Sequence, residues 1–148
     1  MIVPDTNLLV YAYDTTSTHH AAASRWWTDC MTGAEEIGLP SVVIFGFVRL
    51  ATHARVFQQP MTAAAAAGKV RSWLARPHVR ILQPGYNYVE SVLRLVESAG
   101  TAGNLTTDAQ IAAAAQHERA VLHSNDTDFL RFPGLQWFNP LTGKGGTA

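Results

Sequence analysis

The sequence predicts an α/β fold with a mostly parallel central sheet. Short apolar runs alternate along the chain with longer segments whose apolar residues recur at helical spacing. Of the 148 residues, 47% are hydrophobic, which is enough to form one core, and no internal repeat or linker divides them. We therefore expect one domain over residues 1–141, followed by a loose tail rich in Gly and Thr over residues 142–148.

The first half of the chain is expected to contain two strands and three helices. The first apolar run breaks into the polar turn residues Asp5-Thr6-Asn7, so a strand that leads into a loop is predicted there. Ser41 and Thr62 are residue types that cap the starts of helices. The predicted elements are a strand at 2–4, a helix at 18–31, a strand at 37–40, a helix at 41–55 and a helix at 62–75.

The second half is expected to contain three strands and two helices. Gly100 is a common stop signal and ends the first of these helices, and Thr106 or Thr107 caps the second. Residues 120–123 have the apolar character of a buried strand. The predicted elements are a strand at 79–82, a helix at 87–99, a helix from the threonine cap to 116, a strand at 120–123 and a strand at 135–138.

Composition excludes several classes of protein. Eleven basic residues balance eleven acidic ones, so the net charge gives no sign of a nucleic-acid-binding surface, and such a partner must be argued from a local site. Cys30 is the only cysteine, which excludes an intramolecular disulfide and favours a buried structural thiol. No signal peptide or membrane-length apolar stretch is present, so we expect a soluble, cytoplasmic protein that does not bind membranes.

Four carboxylates fall at positions where a parallel sheet places its ligands. Asp5 directly follows the first strand, and Asp126 and Asp128 follow the strand at 120–123. Asp108 begins the helix that precedes that same strand. Ligands of open parallel sheets bind beyond the carboxyl ends of the strands. We therefore predict a site that contains these four residues.

Each carboxylate also has a purely structural interpretation. Asp5 can form a hydrogen-bonded turn, Asp108 can interact with the helix dipole, and Asp126 or Asp128 can cap a short helix suggested by Phe129-Leu130. Carboxylates that gather together repel one another, however, and a hard cation such as Mg²⁺ or Mn²⁺ relieves that repulsion. Such an ion activates water and stabilises the charge that develops during phosphodiester hydrolysis. The combination therefore favours a metal-dependent nuclease.

Three spaced motifs resemble those of PIN-domain nucleases. Ile2-Val3-Pro4-Asp5-Thr6-Asn7 resembles the opening of that family, and Gly103-Asn104-Leu105-Thr106-Thr107-Asp108-Ala109 resembles its third acidic motif. Ser124-Asn125-Asp126-Thr127-Asp128-Phe129, followed by Trp137-Phe138-Asn139-Pro140-Leu141, is similar to the C-terminal signature of VapC toxins. The resemblance covers nearly the whole chain.

The resemblance implies a three-layer α/β/α PIN-like fold and the toxin of a type II toxin–antitoxin pair. Such toxins are endoribonucleases that cut structured RNA (transfer or ribosomal), require Mg²⁺ or Mn²⁺, form homodimers and are neutralised by a VapB-type antitoxin. The resemblance assigns catalysis and metal binding to Asp5, Asp108 and Asp126, and metal binding also to Asp128. It implies that Thr6, Asn7 or Ser124 holds these carboxylates through hydrogen bonds.

The chain departs from the family pattern in one place. PIN nucleases usually carry a glutamate early in the helix after the second strand, whereas residues 41–55 contain no acidic residue. Gly46 is the residue we expect at the vacated position, which leaves open whether one or two metal ions bind. Glu35 and Glu36 are expected in a solvated turn. The alternative function is a degenerate PIN domain that binds RNA or a partner without cutting it.

Other residues admit two interpretations. Arg49 is a candidate contact for RNA phosphate, or it pairs with one of the aspartates as a structural clamp. His19, His20 and His53 are expected at solvated helix ends rather than in a metal site. The tryptophans could stack on bases, but their helical spacing favours a role in the core or in an interface; they are Trp26, Trp27 and Trp73. Strand-end aspartates also occur in phosphotransfer receivers and aspartate phosphatases, but the second acid and the lysine expected there are missing.

Overall fold

The computed structural model describes residues 1–148 and contains one six-stranded sheet in the order β3-β2-β1-β4-β5-β6. The first five strands are parallel, and only β6 runs antiparallel, against β5. The strands are β1 (Ile2–Pro4), β2 (Ile37–Pro40), β3 (Val79–Leu82), β4 (Val121–His123), β5 (Gln136–Asn139) and β6 (Lys144–Thr147). This arrangement confirms the predicted α/β class with a mostly parallel sheet.

Six α-helices flank the sheet and complete three layers. They are α1 (Thr6–Tyr13), α2 (His20–Thr32), α3 (Ser41–Ala51), α4 (Ala63–Leu74), α5 (Tyr88–Ala99) and α6 (Leu105–His117). Thr62 caps α4 as predicted, since its side chain accepts a hydrogen bond from the backbone N–H of Ala65 at 3.1 Å. Gly100 ends α5 in the left-handed conformation, at φ 74°, as its sequence position indicated.

The ends of two predicted helices differ from those in the structure. α3 ends at Ala51 rather than near residue 55, and Pro40, not Ser41, is its cap residue. α6 begins at Leu105, so it starts before the threonines that were expected to cap it. Asp108 nevertheless lies in the first turn of α6, as predicted.

Two segments contradict the sequence prediction outright. The loop expected after Asp5 is the helix α1, whose buried residues Leu9 and Val10 pack into the core. The tail expected to be loose forms β6 over residues 144–147, where each residue pairs with one residue of β5. α1 is ordered by its packing against α2 and α3, and β6 by hairpin pairing with the preceding strand β5.

The core confirms the structural interpretation of the aromatic residues and of the cysteine. Trp27 and Trp73 are buried with their rings edge to face, and the indole N–H of Trp73 donates to the Tyr13 hydroxyl at 2.8 Å. Trp26 is half-buried and donates to Nδ1 of His123 at 3.0 Å. Burial raises the pKa of the Cys30 thiol to about 12, so this group is an inert part of the core. No helix combines the length and the apolar character that crossing a membrane requires.

Candidate active site

The parallel pairing of β1 with β4 brings two of the predicted acidic segments to the same edge of the sheet. Pro4 stands opposite His123 in the register, so Asp5 and Ser124 both follow directly on the ends of neighbouring strands. The backbone N–H of Asp5 donates to the carbonyl oxygen of His123 at 2.9 Å, which extends the ladder by one bond. The topology therefore fixes the position of Asp5 relative to the Ser124–Asp126 turn.

Asp5 is a buried carboxylate that is bound by one serine. Its side chain is only 3% exposed, and Oδ2 accepts a hydrogen bond from Oγ of Ser124, itself fully buried, at 2.8 Å. Burial raises the pKa of Asp5 to about 6, and the negative charge of Asp126 acts in the same direction. The Ser124 hydrogen bond opposes this increase, as do the backbone N–H groups of Asn7 and Thr6. At neutral pH Asp5 is therefore a buried negative charge with few compensating partners.

Asp108 faces the same region from α6. Burial raises the pKa of Asp108 to about 7, with further increases from the charges of Asp5, Asp126 and Asp128. These effects show that the four predicted carboxylates interact electrostatically, although the sequence separates Asp5 from Asp108 by about a hundred residues. No hydrogen-bond donor offsets the increase at Asp108. The region therefore carries more negative charge than its own side chains neutralise.

Asp126 and Asp128 differ from the other two in exposure and in hydrogen bonding. The backbone N–H of Asp126 donates to Oγ of Ser124 at 2.9 Å, so one serine connects Asp126 with Asp5. Oδ1 of Asp126 accepts the backbone N–H of Asp128 at 2.8 Å and thereby caps a 3₁₀ helix, Thr127–Arg131. The capping role considered from the sequence is therefore present for Asp126. Asp128 is exposed on the first turn of that 3₁₀ helix.

A cavity of about 420 Å³ opens between α1, α3 and α6. Asp5 and Asp108 line it together with Gly46 and Arg49, whereas Asp126 and Asp128 are not among its lining residues. Gly46 lies where the missing acid was expected to be, close to Asp5, because a Cβ placed on it would lie 3.1 Å from Cγ2 of Thr6. α3 thus presents its glycine and its arginine to the acidic cavity.

Arg49 lines this cavity without an ionic partner. Its side chain is exposed and takes part in none of the four ion pairs of the protein. The structural clamp to an aspartate, one of the two interpretations from the sequence, is therefore not formed. The guanidinium group is free to meet an anion that enters the cavity.

Two other contributions to this region were not predicted from the sequence. Phe45 and Thr107 also line the cavity, and the helical spacing of Phe45, Gly46 and Arg49 was the signal that they share one face of α3. Asn139, at the end of β5, donates through Nδ2 to Oδ1 of Asn125 at 2.9 Å and so anchors the turn that carries Asp126. A buried asparagine at a strand end has no local signature that would have identified this contact.

The remaining candidates lie outside the site. Glu35 binds the N-terminal ammonium group at 2.7 Å and Glu36 pairs with Arg80, both at the amino ends of the strands and therefore at the opposite edge of the sheet. Nδ1 of His20 lies 3.0 Å from the carbonyl oxygen of Tyr11, and His53 accepts a backbone N–H from Arg55 at 3.1 Å. Neither histidine belongs to a cluster of potential metal ligands.

The acidic region matches a hard divalent cation in chemistry and charge but not in spacing. Carboxylate oxygens are the ligands that Mg²⁺ and Mn²⁺ prefer. Burial, with a smaller contribution from neighbouring carboxylates, raises the pKa values of Asp5 and Asp108, and a cation would stabilise their charged forms. No group of three or more His, Cys, Asp or Glu side chains lies close enough together to hold an ion. The arrangement is thus an acidic cavity rather than a preformed coordination shell.

Comparison with known proteins identifies the family. A family model for the PIN domain matches residues 2–135. Ribonuclease VapC33 of Mycobacterium tuberculosis is 45% identical over 141 residues, which cover 95% of this chain and 99% of that protein. Ribonuclease VapC37 of the same organism is 39% identical over 140 residues, which cover 95% of this chain and 97% of that protein.

Solved structures agree with this assignment at the level of the fold. The structure of VapC20 from Mycobacterium tuberculosis, described as a Sarcin-Ricin loop cleaving toxin, has a TM-score of 0.67 at 19% identity and covers 87% of this chain and 92% of that one. VapBC2 from Rickettsia felis, bound to a DNA fragment of its promoter, has a TM-score of 0.65 at 22% identity. The match covers 94% of this chain and 98% of that one. The predicted resemblance is confirmed, and the chain belongs to the PIN-domain family of VapC ribonucleases.

Proposed function

We propose that this protein is the toxin of a type II toxin–antitoxin pair and acts as an endoribonuclease on structured RNA, either transfer or ribosomal RNA. The observation that carries the proposal is the meeting of Asp5 and Asp108 in one cavity, in a chain 45% identical to ribonuclease VapC33. The VapBC complexes among its structural neighbours support a VapB-type antitoxin as the partner that neutralises it.

The proposed cofactor is Mg²⁺ or Mn²⁺. Asp5, Asp108 and Asp126 are the proposed ligands and catalytic residues, with Asp128 as a further ligand. A bound divalent ion supplies an activated water molecule and stabilises charge on the phosphate. Ser124 orients Asp5 through its 2.8 Å hydrogen bond, and the backbone N–H groups of Thr6 and Asn7, at the start of α1, also donate to Asp5.

Arg49 is the proposed contact for the RNA phosphate. It is the cation that lines the acidic cavity, and guanidinium groups bind phosphate oxygens in pairs. The protein as a whole is neutral, so a local contact of this kind must supply part of the attraction for RNA. A homodimer, which we also propose, would bring two such cavities into one particle.

The test is cleavage of total cellular RNA by antitoxin-free protein with Mg²⁺ or Mn²⁺. We expect the parent protein to cut and both Asp5→Asn and Asp108→Asn to lose the activity. Asp29→Asn is the matched control, because Asp29 is an exposed carboxylate on α2. If the two site variants cut as fast as the control, the assignment of the site is wrong.

The same preparations decide between the enzyme and the alternative of a non-cleaving binding module. Isothermal titration with Mn²⁺ is expected to give binding to the parent and to Asp29→Asn. A parent protein that binds RNA but neither Mn²⁺ nor Mg²⁺, and that leaves the RNA intact, would be the degenerate PIN domain instead.

A further inference from the structure

A second cavity lies beside the acidic one and extends from the carboxyl ends of β2 and β3 along α6 towards the end of that helix. Its volume is about 250 Å³, and it is bounded by the end of β2, the segment 82–88 that leads from β3 into α5, and α6. Val42 lines both cavities. On α6 the second cavity extends from Gln110 to His117, which lie within about 14 Å of Asp108 along the helix axis at the usual rise per residue.

The side chains that line this second cavity expose more apolar than polar surface to it and carry little charge. Three are amides, Gln83, Asn87 and Gln110, and none of these amides forms a hydrogen bond through its side chain within the protein. Each amide offers both donors and an acceptor. The carboxylate of Glu118 at the rim is already bound by Arg80 at 2.6 Å, and neither lysine nor arginine lines the cavity. Such a lining suits a flat, uncharged ligand with its own donors and acceptors and does not suit a phosphate.

An aromatic ring stands at this cavity without any packing partner. The side chain of Tyr86 is fully exposed, although most large apolar side chains of this chain are buried. Exposed aromatic rings beside nucleic-acid sites stack on bases, since every base has a planar face, and side-chain amides read the edges of unpaired bases. The ring and the three amides together provide both kinds of contact.

We propose that this cavity, the Tyr86 cavity, binds one unpaired base of the RNA next to the scissile phosphate. The proposal rests on the function proposed above, because it supplies the subsite that fixes where the RNA strand lies relative to Asp108. It requires an RNA loop or single-stranded segment, since only an unstacked base can enter. Tyr86 is thereby assigned to substrate positioning and specificity and not to the chemical step.

The test compares Tyr86→Ala with Tyr86→Phe, which keeps the ring, and with Leu93→Ala, an exposed apolar control on α5. The probe is a short stem–loop RNA that the parent cleaves in its loop, prepared intact and as a set in which one loop base at a time is removed. We expect Tyr86→Ala to lower kcat/KM on the intact RNA by about 5- to 150-fold, mainly through KM, the range that one base–aromatic stack supplies. Tyr86→Phe and Leu93→Ala should retain the parent value.

The base-deleted RNAs identify the ligand. At one position near the cut, removal of the base should lower kcat/KM for the parent but have little effect on Tyr86→Ala, which is the coupling expected of a direct contact. The proposal is overturned if Tyr86→Ala cuts every RNA as well as the parent does. It is also overturned if the ratio of kcat/KM between the parent and Tyr86→Ala is the same on the intact RNA and on every base-deleted RNA. Weaker antitoxin binding by Tyr86→Ala with unchanged cleavage would also overturn it and would assign the cavity to the partner.

A second measurement separates this proposal from the proposed function. The four nucleosides, titrated into the intact protein, should shift the side-chain amide NMR signals of Gln83, Asn87 and Gln110. Absence of shifts in a protein that does cleave RNA overturns the base subsite and leaves the nuclease function intact. Shifts in a protein that cleaves no RNA support the base site and contradict the nuclease function.

Discussion

Replacing Asp5 with asparagine is expected to stabilise the metal-free protein at neutral pH. Asp5 is 3% exposed, and burial, with a contribution from the charge of Asp126, raises its pKa from 3.8 to about 6. A carboxyl group with a higher pKa in the folded state destabilises the fold as pH rises. The effect is absent below pH 3.8, grows between 3.8 and 6, and is complete above about pH 7.

The size of this effect follows from the two pKa values. The difference between 3.8 and about 6 corresponds to about 3 kcal/mol of lost stability at pH 8. Asparagine has nearly the same shape, carries no charge and can still accept the hydrogen bond of Ser124 through its amide oxygen. We therefore expect Asp5→Asn to exceed the parent in free energy of unfolding by about 2–3 kcal/mol at pH 8 and by less than about 1 kcal/mol at pH 4.

The assay is urea denaturation followed by tryptophan fluorescence, with a chelator present, at one-unit steps from pH 4 to pH 8. Asp29→Asn serves as the control, because its exposed carboxylate should change stability little at any pH. Because the pKa of Asp108 is also raised, the free energy of unfolding of Asp5→Asn should still decrease as the pH rises, but by less than that of the parent. Equal stability of the parent and Asp5→Asn at pH 8 would show that Asp5 is not the buried, under-compensated charge described here.

Three further predictions concern the support of the site, the core and the metal. Ser124→Ala should lower the free energy of unfolding by about 1.5–3 kcal/mol, because it removes the hydrogen-bond donor to Asp5 and the acceptor of the Asp126 N–H. The loss should be larger at pH 8 than at pH 4, and urea titration at both pH values checks this. Trp73→Phe should cost about 1–3 kcal/mol through the lost bond to Tyr13 and the lost volume, with unchanged cleavage per folded molecule in a stopped RNA assay. Mn²⁺ should raise the thermal midpoint of the parent but not of Asp5→Asn in differential scanning fluorimetry, and an equal rise in both would exclude Asp5 as a ligand.

Periodicity and caps were sufficient to predict five of the six helices, because each of them either carries an apolar stripe or begins or ends at a residue with a clear preference. α1 was missed because its apolar residues occupy several faces at once, so that no period is visible. β6 was missed because its sequence, Lys-Gly-Gly-Thr, has little intrinsic strand preference. Its hairpin pairing with the preceding strand β5, across residues 140–143, supplies the order instead.

The acidic site was predictable to the extent that topology determines it. β1 and β4 were predicted as strands of a mostly parallel sheet, so the residues after each were expected at one edge; that the two strands are neighbours is known only from the structure. The separation of the cluster into a cavity pair, Asp5 and Asp108, and an outer pair, Asp126 and Asp128, was not predictable. Asp126 caps the 3₁₀ helix through a local contact that the sequence did suggest, but the turn that carries Asp126 is anchored by Asn139, and that tertiary contact leaves no local pattern.

The missing acid on α3 has a physical explanation in the packing of α3 against α1. A Cβ at Gly46 would lie 3.1 Å from Cγ2 and 3.2 Å from Oγ1 of Thr6, so α3 approaches the residue next to Asp5 more closely than a larger side chain would readily permit. A further carboxylate there would also have increased the repulsion that already raises the pKa of Asp108. With that acid absent, Arg49, one helical turn further along, lines the same cavity as the remaining carboxylates. Under the proposed function a smaller negative charge would bind a cation less strongly, and the guanidinium group, which is unpaired within the protein, would remain available to the RNA phosphate.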